Sequence, residues 1–210
     1  MLAKMIRMTL VVATLALGLV VTGEARGEPE ISPEQVIREA SELTMKAIKA
    51  RREELKANRQ ALFELIDEVL LPRWDRQYTG RLVMGPYWRK ASPEQREAFI
   101  TGLYRKLLHS YGDGALQYDS EQLRVLGTRG NLAEGRAMVD SEVRLQDGTQ
   151  VPISYRMRIH EGHWKVYDIV IEGISYVTNY RSQYSSEFRV KGIDGVLADL
   201  APYLDQDGDS

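Results

Sequence analysis

The sequence predicts an α+β fold in which helices cover one bent, antiparallel β-sheet. Two observations carry that prediction. Residues 32–111 place apolar side chains at helical spacing, whereas residues 121–172 alternate in the manner of strands separated by turn signals. No Pro/Gly/Ser-rich linker divides the two halves, so residues 26–205 read as a single domain and residues 206–210 as a frayed tail. The chain has 210 residues, 43% of them hydrophobic, and a formal net charge of −2. It contains no cysteine. That excludes disulfide staples and a thiol-anchored lipid, and leaves stability to a packed core. Acidic and basic residues are interspersed, which gives no footprint for nucleic acid.

The N-terminus has its own logic. Lys4 and Arg7 precede an uninterrupted apolar run over residues 9–21, followed by the small residues Gly23 and Ala25. This is the pattern of a secretory signal peptide over residues 1–25, with a second possible cleavage site near Gly27. The run is shorter than the ~20 residues needed to span a bilayer. An exported, soluble mature chain is expected.

Along the rest of the chain, the tetrapeptide SPEQ occurs twice, at residues 32–35 and 92–95. Ser can cap a helix, Pro suits its first turn, and Gln three positions after Ser can complete a capping box. The first copy opens a helix with Val36, Ala40, Leu43 and Ala47 on one face. A second helix, over residues 60–71, carries Leu62, Phe63, Ile66, Val69 and Leu70 before Pro72 stops it. The second SPEQ opens the longest apolar stripe: Phe99, Ile100, Leu103, Tyr104, Leu107, Leu108 and Tyr111, ended by Gly-Asp-Gly at 112–114. Strands follow over residues 137–145, 151–159 and 164–171, with turns at Asp147-Gly148 and Glu161-Gly162. In the middle strand Ile153, Tyr155, Met157 and Ile159 share one face, and Ser154, Arg156, Arg158 and His160 the other. Helices over residues 175–189 and 196–204 complete the chain.

The stretch WKVYDIVIEGISYVTNYRSQY, residues 164–184, raises a specific question. Its strand places aliphatic side chains on both faces under strict alternation, which requires cover on both sides or a cavity. Catalytic signals are sparse. His160 and His163 flank a turn without the helix and spacing of a zinc motif, and His109 sits late in a helix, so no metal site is expected. The chain has no nucleophile elbow, phosphate loop or cysteine nucleophile. Asp168 and Glu172, four apart at a strand end, could serve as a general base in a pocket or as a salt-bridging pair at the sheet edge. No enzyme activity and no cofactor are expected.

Three stretches carry a family resemblance. LLPRWDRQYTGRLVMGPYWRKASPEQREAF (residues 70–99), the strand–turn–helix of residues 164–184, and KGIDGVLADL (residues 191–200) together resemble the MlaC family of periplasmic phospholipid-binding proteins, also called toluene-tolerance auxiliary proteins. The resemblance implies a fold similar to the nuclear-transport-factor-two (NTF2-like) cone, with a deep apolar cavity for phospholipid acyl chains. It also implies a periplasmic shuttle between an outer-membrane lipoprotein–porin complex and an inner-membrane ABC transporter complex, maintaining outer-membrane lipid asymmetry. On that premise the pattern of apolar residues selects a wall: Val69, Leu70, Leu103, Tyr104, Leu107, Tyr155, Met157, Ile159, Ile169, Ile171, Val177 and Tyr180. Arg73 and Arg181 are candidates to meet a headgroup at the rim. The alternative is an exported cone-fold enzyme acting on a small apolar substrate, with Asp168 or Glu172 as base.

Overall fold

Helix formation begins where the sequence marks it. In the computed structural model, which describes residues 31–117, 123–144 and 148–205, helix α1 (Pro33–Ala57) starts behind Ser32, whose hydroxyl accepts from the Gln35 amide at 3.2 Å. Helix α2 (Arg59–Leu70) is capped by Asn58, and Pro72 falls in a short 3₁₀ turn, Leu71–Arg73. Helix α3 (Arg76–Met84), which the sequence reading did not anticipate, is capped by the Asp75 carboxylate. Helix α4 (Pro93–Tyr111) carries a complete capping box: Ser92 and Gln95 each accept the other's backbone N–H. The two SPEQ copies therefore differ, because the Gln35 side chain turns outward to Glu39 at 2.8 Å.

The sheet is built from β1 (Leu123–Arg129), β2 (Arg136–Arg144), β3 (Gln150–His160), β4 (His163–Ile171) and β5 (Ile174–Ser175), in the order β1-β2-β3-β4-β5 with every pair antiparallel. Two Glu-Gly turns drive the chain back. Glu161-Gly162 has φ of 51° and 78°, and Glu172-Gly173 has 50° and 81°, the positive pair that a two-residue hairpin loop of type I′ requires. Helix α5 (Tyr176–Asp205) follows. The sequence predicts two helices here; they run as one element broken at Gly192 (φ 70°, ψ −178°). The expected signal peptide (residues 1–25), Leu145 and Asp147 of the predicted hairpin, and the tail (residues 206–210) lie outside the described residues.

Packing divides into three apolar clusters. One joins the C-terminal half of α1 to α2 and α4 through Ile48, Leu62, Phe63, Ile66 and Tyr104. A second joins α3, α4 and α5 through Val83, Phe99, Leu103, Tyr184, Phe188 and Leu200. The third lies between the first turns of α1 and the sheet: Val36 and Ile37 against Ala137, Val139, Met157 and Trp164. Helix α1 thus serves two partners, which corrects its expected apolar face. Leu43, between them, is exposed, while Met45, Ile48 and Leu55 are buried.

Candidate functional site

A bulge resolves the question posed by residues 164–171. In the β3–β4 pairing Ile159 faces Trp164 and Met157 faces Val166, yet Arg156 then faces Asp168 and Tyr155 faces Ile169, with Ile153 opposite Ile171. Tyr167 is the extra residue. One added residue reverses the alternation beyond it, so Trp164, Val166, Ile169 and Ile171 all share the face of Ile153, Tyr155, Met157 and Ile159. The expectation of apolar side chains on both faces is corrected: most of the apolar set stands on one face, and Val170 opposite Ser154 is the aliphatic on the other.

That inner face is covered unevenly. Under α1, Ala137, Val139, Met157 and Trp164 are at most 6% exposed. Toward the end of β4 the cover thins: Ile169 is 38% exposed, and Ile153, Tyr155 and Ile171 are half-buried. Helix α5 starts at this end, because the Asp168 carboxylate accepts from the Val177 amide at 3.0 Å. One turn further stands Tyr180; burial first, and then the neighbouring Tyr111 phenol at the end of α4, push the Tyr180 phenol above its ordinary range. Exposed apolar side chains gather on the neighbouring segments, with Tyr111 58% and Ile174 62% exposed.

The structure places the predicted wall residues in several surroundings. Tyr104 and Val69 belong to the cluster under α2. The Tyr104 hydroxyl donates to Asp67, which also pairs with Arg105 at 3.1 Å, and burial raises the phenol's pKa. Leu103, Leu107, Val177 and Tyr180 pack in or against the α4–α5 cluster. Tyr155, Met157 and Ile159 lie with the α1–sheet cluster. Ile169 and Ile171 are in none of the three, and Leu70 is exposed. Arg73 donates to the Val69 carbonyl at 2.9 Å, and Arg181 lies over Gly85. These residues are therefore shared among filled clusters and one half-open surface rather than gathered round one void. Two surface depressions, of about 540 and 280 Å³, are lined by other residues, apart from Arg73 in the smaller.

The carboxylates are committed to structure or to solvent. Asp168, buried behind the sheet, accepts from Arg156 (3.0 Å), the Ser175 hydroxyl (2.7 Å) and the Val177 amide. Those bonds hold both oxygens in the α5 cap, and the side chain stands on the face opposite the apolar one. Glu172 is exposed on its turn. His160 Nδ1 lies 3.3 Å from Arg158, and His109 packs edge-on against Phe63.

The predicted wall leaves out Trp74 and Ile153. Trp74 bridges to Val166 at the edge of β4, donates its indole N–H to Thr79 and packs at a tilt against Tyr104 with ring centroids 5.2 Å apart, tying the helical layer to the sheet. No local period marks so isolated a residue. Ile153 was readable, since it continues the Tyr155–Ile159 alternation.

Comparison with known proteins adds the lineage. Residues 38–202 match the family described as "MlaC protein". The chain belongs to that family. The matched span encloses all three stretches that carried the sequence resemblance. Among relatives, the toluene tolerance protein ttg2D of Pseudomonas putida is 27% identical over 164 residues, 78% of this chain and 76% of the relative. The intermembrane phospholipid transport system binding protein MlaC of Haemophilus influenzae is 23% identical over 175 residues, 81% of each chain. A phospholipid-binding protein from Ralstonia solanacearum, solved in complex with a phospholipid, superposes with a TM-score of 0.76 at 25% identity, covering 85% of this chain and 100% of that one. The α+β architecture is thus that of a MlaC relative, and no helix of the described residues is long and apolar enough to cross a membrane.

Proposed function

We propose that this protein is a periplasmic phospholipid carrier that performs no chemistry on its cargo. The observation that carries the reading is the half-covered apolar strip of Ile153, Tyr155, Ile169 and Ile171, made continuous by the Tyr167 bulge and bordered by the start of α5. Lipid-binding relatives of the same fold support it. Acyl chains enter beside the start of α5, where the apolar residues Leu107, Val177 and Tyr180 exchange contacts within their cluster for contacts with lipid. Methylene burial sets the scale. A phospholipid with about thirty acyl methylenes loses on the order of 24 kcal/mol on leaving a bilayer, at ~0.8 kcal/mol each. A carrier must restore nearly all of that burial and bind little more tightly, or unloading stalls. Apolar walls with few fixed polar contacts meet both demands. The shuttle route runs between an outer-membrane lipoprotein–porin complex and an inner-membrane ABC transporter complex. Asp168, held in the α5 cap, supplies no base, which disfavours the enzymatic alternative.

The test places a charge on the strip. Ile169→Asp alters a residue already 38% exposed, so the fold should persist with an unchanged far-ultraviolet spectrum. Uptake of phospholipid from vesicles should fall at least tenfold, since an unpaired carboxylate in an apolar wall costs several kcal/mol. Undiminished uptake would remove this strip from the binding site.

A further inference from the structure

The opposite face of the sheet carries an arrangement that stability alone disfavours. Arg136 on β2 stands directly across from Arg158 on β3, which stands directly across from Lys165 on β4. Three cations thus lie in register on adjacent strands, and like charges directly opposite destabilise a sheet. Arg156 is two residues along on the same face, and Arg81 joins from α3: Arg158 and Arg81 lie 4.2 and 4.8 Å from the centroid of the Tyr78 ring. Buried carboxylates balance only two of these cations, Asp75 with Arg158 and Asp168 with Arg156. Lys165 donates to the Pro72 carbonyl, and neither it nor Arg136 nor Arg81 has a carboxylate partner among the described residues. The surplus positive charge is therefore held on a rigid strand scaffold beside two edge-packed tyrosines, Tyr78 and Tyr167.

We infer that this row is a docking surface for an acidic segment of a protein partner, with Arg136 and Lys165 receiving its carboxylates on either side of Arg158, which Asp75 already holds. Charge complementarity selects the occupant. Arg136 and Lys165 stand two strands apart, at roughly 10 Å, and their long side chains can reach alternate carboxylates on one face of an extended chain, which repeat at roughly 7 Å. The patch is small and bounded: Asp140 and Glu142, on the same face, are taken by Arg129 and Arg124, and Glu161 stands beyond His160. A net charge of −2 over the whole chain opposes adsorption to an extended anionic membrane. The surface is separate from the apolar strip, so it can be tested independently of lipid carriage.

The experiment titrates the full-length mature protein with a short polyglutamate peptide by calorimetry, beside a polyglutamine control and phosphatidylglycerol vesicles. The glutamate peptide should bind with an affinity that falls as ionic strength rises, and the glutamine peptide should not bind. Arg136→Glu with Lys165→Glu should weaken binding roughly tenfold or more, while Lys46→Glu on the exposed face of α1 should not. Arg136→Gln should leave the melting temperature unchanged or raised, and all variants should keep their phospholipid uptake. The inference is overturned by equal binding in the double variant and the Lys46→Glu control, by absence of peptide binding, by charge-dependent binding to vesicles alone, or by a lowered melting temperature in Arg136→Gln.

Discussion

Asp168 shows how one side chain can join two elements. Its carboxylate caps α5, holds Ser175 and balances Arg156 across the strand pair. Asp168→Ala should cost about 2 kcal/mol in urea unfolding, from the lost cap and the bonds to a partly exposed arginine. Asp168→Asn, which keeps an acceptor for the Val177 amide, should cost less; equal stability of Asp168→Ala and wild type would contradict the assignment. Tyrosines make a second prediction. Burial first, aided by the Asp67 bond at Tyr104 and by the charge of Glu187 at Tyr184, raises both phenols above their ordinary value near 10. A proton held more tightly in the folded state gives stability that is complete below about pH 10 and lost as pH rises through the folded values. Urea midpoints should therefore fall in the alkaline range. Tyr184→Phe should flatten part of that fall at no cost near neutrality, because the buried Tyr184 hydroxyl has no hydrogen-bond partner among the described residues. A strongly destabilised Tyr184→Phe would point to a partner for that group.

At the scale of elements, helix starts were legible because they are written locally: Ser32, Ser92 and their prolines cap where the sequence places them. Helix α3 was not, since its nine residues bring little period of their own and are fixed by Asp75, Trp74 and Thr79 bonding to distant strands. The bulge at Tyr167 was equally hidden. Strict alternation puts Ile169 and Ile171 on the face opposite Trp164 and Val166, and only pairing with β3 shows the added residue. The break in α5 is a case where composition gave a gap between two helices but not its geometry. Gly192 adopts a φ/ψ combination open essentially to glycine alone, so Gly192→Ala should lower stability by roughly 1–3 kcal/mol in denaturant unfolding. An unchanged midpoint would show that α5 can straighten there at no cost.

For the whole molecule, the α+β class and the covered sheet followed from the two periodicities, whereas the wall of the site did not. Apolar residues at helical spacing, such as Leu103 and Val69, are needed both to fill a core and to line a cavity, and the pattern is the same in either use. The sheet contributes the distinction. Its inner face is buried under α1 and half-open near α5, and the proposed cargo belongs at the boundary. Such a carrier gains stability from its cargo, since a ligand that binds only the folded state shifts unfolding in its favour. The most direct measurement is native mass spectrometry of the mature protein purified without detergent from a lipid-rich bacterial host, with organic extraction of the same sample. The carrier account predicts a folded chain bearing the added mass of phospholipid, recovered as phospholipid in the extract. A folded chain of unadorned mass, with an empty extract and no uptake from vesicles, would contradict it.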